Sequence, residues 1–257
     1  MSFEKELDAA CRAAAMAGEI ALRYRRTGVA AEEKDDLSPV TVADRECEKA
    51  IAAALSEAFP GDGLLGEEGA SRESSNGRKW IIDPIDGTRD FVRGNRLFAN
   101  LIGLEVDGVV EVGVVNLPAL GELYTAVRGQ GAWRDGRRLR ASSISSRRQA
   151  VACLSSLNAP EWKPYAPRVM DFLSGFWAVR GLGGCGDAML VAAGQAEIYM
   201  EPKVKAWDLA ALKIVVEEAG GRFFNFDGGS SIYGGNCVCC APGLENKIRE
   251  FLRIPPA

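Results

Sequence analysis

Between residues 63 and 140 the chain is cut into short apolar stretches, and that punctuation restricts the possible folds more than any other feature. Leu64-Leu65, Trp80 to Ile82, Leu97 to Val106, Val109 to Val115 and Leu123 to Val127 alternate with Gly, Asp-Gly and Pro-Ala-Leu-Gly turns. Val106-Asp107-Gly108-Val109 and Arg134-Asp135-Gly136-Arg137 signal two-residue hairpins, because Asp-Gly tolerates the positive φ such turns need. The texture predicts an antiparallel sheet. Ahead of it, Phe3, Leu7, Ala10, Ala14, Ala17 and Ala21 predict a helix over 3–25, and Ala43, Cys47, Ile51, Leu55 and Ala58 a second over 43–58. The polar segment 31–39 between them reads as a mobile loop or a short hairpin. Beyond the polar stretch Ala141 to Arg148, strand and helix alternate over 150–155, 164–174, 176–180, 186–194, 197–201, 208–219, 222–226 and 236–240. The expected organisation is therefore α/β, with an α+β lobe over 1–145 and an α/β lobe over 146–257.

Composition narrows the chemistry. The 257 residues include 31 Lys and Arg against 35 Asp and Glu, seven cysteines and no histidine. Without imidazole there is no Ser-His-Asp triad, no Cys-His pair, no His-ligated zinc and no phosphohistidine. Acid–base work must fall to carboxylates, Lys, Tyr, Cys or water on a metal. The net charge of −4 argues against nucleic acid or an anionic membrane as partner and favours a small molecule. No basic-then-apolar leader opens the sequence and no run reaches the ~18 apolar residues of a membrane span, so a cytoplasmic protein with reduced thiols is expected. Cys237 and Cys240 have C-x-x-C spacing, but no second pair completes a zinc site; with Cys239 they read as small buried residues of a strand.

The densest chemistry lies in Trp80-Ile81-Ile82-Asp83-Pro84-Ile85-Asp86-Gly87-Thr88-Arg89-Asp90-Phe91. An apolar strand carries Asp83 to its end, Pro84 breaks the ladder, and Asp86 returns across a turn that Gly87 closes. Two carboxylates and the Ile85 carbonyl offer the oxygen ligands that Mg²⁺ prefers. A helix starting at Thr88 would turn its free amides, with that of Gly87, toward an anion. The alternative is a D-P-x-D-G turn that satisfies only its own backbone. Glu67-Glu68, Thr41 to Asp44 and Trp207-Asp208 add acidic clusters, readable singly as a solvated turn, a capping box and a helix cap.

Taken together, Gly66-Glu67-Glu68, W-I-I-D-P-I-D-G-T-x-x-F over 80–91, and Trp207-Asp208-x-Ala210-Ala211 followed by Glu217-Glu218-Ala219-Gly220-Gly221 resemble the inositol monophosphatase family, with Asp44 at its T-x-x-D position. The resemblance spans about residues 5–250. It implies a layered α-β-α-β-α sandwich, a homodimer, and a phosphomonoesterase using two or three Mg²⁺ ions per site. Glu67, Asp83, Asp86, Asp208 and the Ile85 carbonyl match the metal ligands. Thr88, oriented by Asp44, matches the group that positions and deprotonates the attacking water, with Gly87 and Thr88 amides on the phosphate. Arg93 stands where the family often has His.

Asp90 to Gly94, Leu117 to Tyr124, Gly186-Asp187-Ala188, Asp208 to Leu212 and Ile232 to Asn236 look like the histidinol-phosphate phosphatase branch. Histidinol phosphate carries an ammonium that a pocket carboxylate could pair, whereas inositol is a neutral polyol. Glu201 and Asp187 are the candidate contacts, with a surface or helix-cap role the alternative for Asp187. Inositol-1-monophosphatase is the main rival. Gly181-x-Gly183-Gly184-x-Gly186 also matches a dinucleotide-binding G-x-G-x-x-G, with Glu201 about 20 residues on, which keeps an oxidoreductase as a remote reading. Trp133, Trp162 and Trp177 are read as core or interface packing.

Overall fold

A computed structural model describes residues 3–34, 39–181 and 183–257. Helix α1 (Glu4–Thr27) leads to strands β1 (Ala31–Glu33) and β2 (Pro39–Thr41) and helix α2 (Val42–Ala58). Strands β3 (Gly63–Gly66), β4 (Ser71–Arg72) and β5 (Arg78–Asp86) precede the short helix α3 (Thr88–Val92). Then come β6 (Ala99–Val106), β7 (Val109–Leu117), β8 (Glu122–Val127), β9 (Gly131–Arg134) and β10 (Arg137–Arg138). The remainder runs β11 (Val151–Leu154), α4 (Ala166–Ser174), β12 (Ala178–Arg180), α5 (Gly184–Ala192), β13 (Ile198–Glu201), α6 (Ala206–Glu218), β14 (Arg222–Phe224), β15 (Cys237–Cys240) and α7 (Glu245–Leu252).

Of the two readings of segment 31–39, the hairpin holds where it is described: Ala31 faces Thr41 in an antiparallel β1–β2 pair, and 35–38 lie outside the described residues. The strands from β3 to β10 form one sheet in the order β10-β9-β8-β7-β6-β5-β3-β4. Its Asp-Gly hairpins are as expected, with φ of 49° and 82° at Asp107 and Gly108 and of 50° and 76° at Asp135 and Gly136. The sheet is not wholly antiparallel. β4 folds back along the outer edge of β3, so the chain re-enters on the inner edge in β3's own direction, and β3 and β5 pair parallel with Leu64 opposite Trp80.

The second sheet has the order β12-β11-β13-β15-β14, parallel over its first three strands and antiparallel thereafter. Helices α1 and α2 cover one face of the larger sheet; α5 and α6 fill the space between the two sheets. α4 and α7 cover the outer face of the smaller sheet through Phe172, Ile248, Phe251 and Leu252. The result is the α-β-α-β-α layering. Because the smaller sheet is covered on both faces, its strands read as unbroken apolar runs. In β15, Cys237 and Cys239 face α5 and α6 while Val238 and Cys240 face the outer helices, and all seven cysteines of the chain are free thiols. Trp162 is in the core, but Trp177 is 73% exposed and Trp133 37%, so core packing belongs to only one of the three. No helix of the described residues is long and apolar enough to cross a membrane.

Two glycines place α6. Gly103 of β6 and Gly113 of β7 are register partners, and both lie beneath α6. A Cβ on Gly103 would sit 2.6 Å from Ala210 Cβ, and one on Gly113 would collide with Ile214 Cγ2 and lie 3.0 Å from the Ala211 carbonyl. Gly113→Ala should therefore destabilise the fold by about 1–3 kcal/mol through overpacking, lowering the melting temperature by roughly 2–4 °C per kcal/mol. Calorimetry checks this, and an unchanged melting temperature would show that α6 does not need the groove.

Candidate active site

Strand β5 brings two carboxylates to one side by breaking its own regularity. Residues 83 and 86 are an odd number apart and would project to opposite faces of an unbroken strand. Pro84 has no N–H for the ladder. Asp83 faces Leu101 while Asp86 faces Ala99, so three steps on β5 match two on β6 and the strand bulges. Asn100 Nδ2 donates to the Pro84 carbonyl at 2.6 Å, and Asn116 Nδ2 holds Asn100 Oδ1 at 2.9 Å. Ile85 then turns into the cluster of α1 and α2, and Asp86 joins Asp83 on the α6 side. Gly87 reverses the chain at φ 82°, where a Cβ would stand 2.9 Å from the Leu97 carbonyl oxygen, and α3 starts at Thr88.

The third carboxylate comes from the first turn of α6. The N-cap is Lys205 rather than Asp208: as the third residue of α6, Asp208 reaches back, and its Oδ2 accepts from Lys205 N–H at 2.6 Å. It also reaches the other two: one carboxylate oxygen each from Asp83, Asp86 and Asp208 lie within 4.8 Å of one another. Cys185 N–H, at the start of α5, donates to Asp86 Oδ2 at 2.9 Å, while Asp83 Oδ1 is buried with no hydrogen-bond partner among the described residues. Burial and the charges of Glu67, Asp86 and Asp208 push Asp83 well above the usual carboxylate range. Burial, then Asp86 foremost among its neighbours, pushes Asp208 up to about 7. An all-oxygen trio with one orphaned buried oxygen fits a hard divalent cation.

Around the trio, Glu67, Thr88, Ile85 and Gly87 line a cavity of about 280 Å³ that also includes Asp83, Asp86 and Asp208. Glu67 stands outside the close trio, because Lys34 Nζ donates to its Oε1 at 3.0 Å and to Glu68 Oε1 at 2.6 Å. Thr88 Oγ1 lies 3.1 Å from Asp44 Oδ1 and 3.0 Å from the Ile85 carbonyl. Asp44 Oδ2 meanwhile accepts from Thr41 N at 2.8 Å and Thr41 Oγ1 at 2.6 Å, completing a capping box at the start of α2. The cap and the site are one carboxylate. Glu48, one turn further along α2, escaped the sequence reading. Its Oε2 accepts from Glu68 N and its Oε1 from Ala70 N, each at 2.7 Å, which fixes the turn carrying Glu67. Its i,i+4 spacing from Asp44 was the available signal.

Elsewhere on the wall lie Glu201, Tyr199, Ser155 and Ser156. Tyr199 OH donates to Glu201 Oε2 at 3.0 Å. Burial raises Glu201 above its ordinary value, against the pull of the nearby Ser156, Ser155 and Tyr199 hydroxyls. Asp187 is not brought to the cavity. It is fully buried in the first turn of α5, where it accepts from Gly183 N at 3.0 Å, the helix-cap alternative. Arg93 is exposed at the end of α3. The G-x-G-x-x-G segment does not offer its helix to a pyrophosphate, because the Cys185 amide is spent on Asp86 and a Cβ on Gly184 would stand 2.6 Å from Asp86 Oδ2. Leu182 within it lies outside the described residues.

The folded pKa of Asp208 exceeds its unfolded value near 3.9, so between about pH 4 and 7 the folded state holds more protons and the metal-free protein loses stability as pH rises. Two outcomes follow. Mg²⁺ should raise the melting temperature more at pH 8 than at pH 5, where protons compete for the same oxygens. Asp83→Asn should melt higher than the unsubstituted protein in EDTA and lose most of the Mg²⁺-induced rise. Scanning calorimetry at the two pH values reads both; a Mg²⁺ shift independent of pH and of Asp83 would mean the cation binds elsewhere.

The family model described as the inositol monophosphatase family matches residues 3–253. A histidinol-phosphatase of Chlorobaculum parvum is 42% identical over 242 residues, covering 92% of both chains. One of Mycobacterium tuberculosis is 42% identical over 232 residues, covering 88% of this chain and 89% of that one. An inositol-1-monophosphatase of Mesorhizobium japonicum is 38% identical, with 84% and 83% covered. Among solved structures, the extragenic suppressor protein suhB of Bartonella henselae superposes with a TM-score of 0.90 at 31% identity, covering 96% and 97% of the two chains. The carboxylate cavity thus sits in a chain matched along nearly its whole length, and the protein belongs to the inositol monophosphatase family of phosphomonoester hydrolases.

Proposed function

We propose that the protein hydrolyses L-histidinol phosphate with water to L-histidinol and inorganic phosphate, using Mg²⁺. The observation that carries the substrate is Glu201: a carboxylate 5% exposed, on the cavity wall, without an ion-pair partner among the described residues. Buried carboxylates are ordinarily paired. An alcohol bearing an ammonium would supply the missing cation, and a neutral polyol would not. The two 42%-identical histidinol-phosphatases support the same choice over the inositol-1-monophosphatase.

In this reading Asp83, Asp86 and Asp208 would hold the cation, with Glu67 and the Ile85 carbonyl as further ligands for a total of two or three ions. When bound, Mg²⁺ supplies a lowered pKa for water and counter-charge for the phosphoryl and leaving oxygens. The hydroxyl hydrogen of Thr88 has two acceptors, Asp44 Oδ1 and the Ile85 carbonyl. With its hydrogen directed to Asp44, Thr88 Oγ1 has a lone pair with which to orient the attacking water, and as it takes the water's proton it passes its own to Asp44. Asp44, raised by burial, suits the receiving end. The Gly87 and Thr88 amides hold the phosphate. The lobes 1–145 and 146–257 meet here, the second supplying Asp208 and Glu201. The same reading includes a cytoplasmic homodimer acting in histidine biosynthesis.

The test is phosphate release with Mg²⁺ and with EDTA from L-histidinol phosphate, inositol 1-phosphate, fructose 1,6-bisphosphate and 3′-phosphoadenosine 5′-phosphate. Histidinol phosphate should lead by kcat/KM; activity centred on inositol 1-phosphate overturns the substrate while keeping the metal site. Asp86→Asn should remove Mg²⁺-dependent turnover with a cooperative melt retained. Thr88→Ala should lower kcat by about 10²–10⁴, and Thr88→Ser should recover much of it; a Thr88→Ala enzyme of normal kcat would exclude the relay.

A further inference from the structure

A second cavity opens beside α6, apart from the carboxylate trio. The end of the β6–β7 hairpin, Arg128 after β8, one side of α6 and the segment 230–233 enclose about 320 Å³, against 280 Å³ around the trio. The two cavities have no lining residue in common among those described. Small-ligand cavities span roughly 300–1,000 Å³. The stretch Ile232 to Asn236, singled out in the sequence, adds nothing to the carboxylate lining; Ile232 and Tyr233 line this second space instead.

Its wall carries both signs of charge, Arg128 and Lys213 against Glu105 and Glu217, and the four sum to zero. Each sign keeps an uncommitted atom. Arg128 gives Nε and Nη2 to the Val110 carbonyl at 3.0 and 2.7 Å and Nη2 to Glu217 Oε2 at 3.4 Å, while none of its contacts uses Nη1. Glu105, 6% exposed, receives Tyr233 OH at 2.8 Å and Lys79 Nζ at 3.1 Å, both on Oε2 and neither on Oε1. Glu217 is fully engaged, since Lys213 Nζ takes its Oε1 at 2.5 Å and also lies 4.5 Å from the centre of the Phe223 ring. The segment 230–233 is held too: buried Asn225 donates Nδ2 to the Ser231 carbonyl at 3.0 Å and accepts from Ser231 N at 2.8 Å. Charged groups already fixed by their neighbours lose little freedom when a ligand arrives.

The balance of charge selects the ligand. Inorganic phosphate would meet two carboxylates and a polyamine two cations, and like charges brought together cost affinity. A molecule carrying one carboxylate and one ammonium gives each sign its partner. A guanidinium is built to receive a carboxylate, and an ammonium supplies three donors to carboxylate oxygens. Val109, Val110 and Ile232 provide apolar wall for the remainder of such a molecule.

We propose that this cavity is a binding site for a free α-amino acid, with the carboxylate at Arg128 and the ammonium at Glu105. The inference stands independently of the phosphomonoester that the carboxylate cavity takes.

The experiment is isothermal titration calorimetry of the full chain in EDTA with each proteinogenic L-α-amino acid, then with inorganic phosphate and spermidine as probes of single sign. At least one amino acid should bind, and neither phosphate nor spermidine should displace it. For the tightest binder, the amine lacking its carboxylate and the acid lacking its amino group should each bind about tenfold more weakly or worse. Glu105→Gln, which keeps an acceptor for Tyr233 but removes the charge, should weaken binding by roughly tenfold or more. Val109→Trp fills the cavity from a position 44% exposed and should abolish binding with both charges in place, so it decides the matter if Glu105→Gln fails to fold. Glu201→Gln should bind with the original affinity. The proposal is overturned if no amino acid binds, if binding survives Val109→Trp unchanged, or if it is lost in Glu201→Gln, which would place the ligand in the carboxylate cavity.

Discussion

Three carboxylates that repel one another, one of them fully buried, set the terms for everything packed around them. In a low-dielectric interior their mutual repulsion would scatter them unless the scaffold fixed each one separately. Three unrelated devices do so. A proline-induced bulge swings Asp86 onto the face of Asp83; a pair of facing glycines lets α6 lie against the sheet and bring Asp208 down; the Cys185 amide in the first turn of α5 ties Asp86 from the layer between the sheets. The layered fold is thus the arrangement in which a bulged strand end and two helix N-termini can meet at one point.

Helix capping and the geometry of the candidate site coincide on the same side chains. Asp44 caps α2 with one oxygen and reaches Thr88 with the other, and Asp208 caps α6 while completing the trio. A helix N-terminus already favours a carboxylate through its free amides and its dipole. Placing site carboxylates there offsets part of the repulsion with interactions the helix needs anyway. For the same reason a capping reading of Asp44 or Asp208 does not compete with the proposed functional one.

Local signals carried most of the fold. Asp-Gly turns, helical periodicity and unbroken apolar strands identify elements because they depend on neighbours in sequence, and the motifs around Asp83, Asp86 and Asp208 are local too. What the sequence hid depends on distant partners. The parallel β3–β5 pair follows from where β4 returns, and α7 has only Ile248, Phe251 and Leu252 to declare itself. Glu48 matters through amides twenty residues away. Asp187 lies off the cavity lining because its spacing says nothing of which way the first turn of α5 points.

The absence of histidine then has a consequence for the whole molecule. No unperturbed side chain titrates between pH 5 and 8 except imidazole, so the side chains of a histidine-free protein respond near neutrality only where the fold displaces them. Here burial and neighbouring negative charge move carboxylates upward, Asp208 to about 7, into the range imidazole would occupy. A divalent cation held at the proposed site would contend with protons for the same oxygens. Clustering carboxylates tightly enough to grip a cation also makes them basic enough to hold protons without it, so affinity for the metal and sensitivity to pH are two expressions of one repulsion.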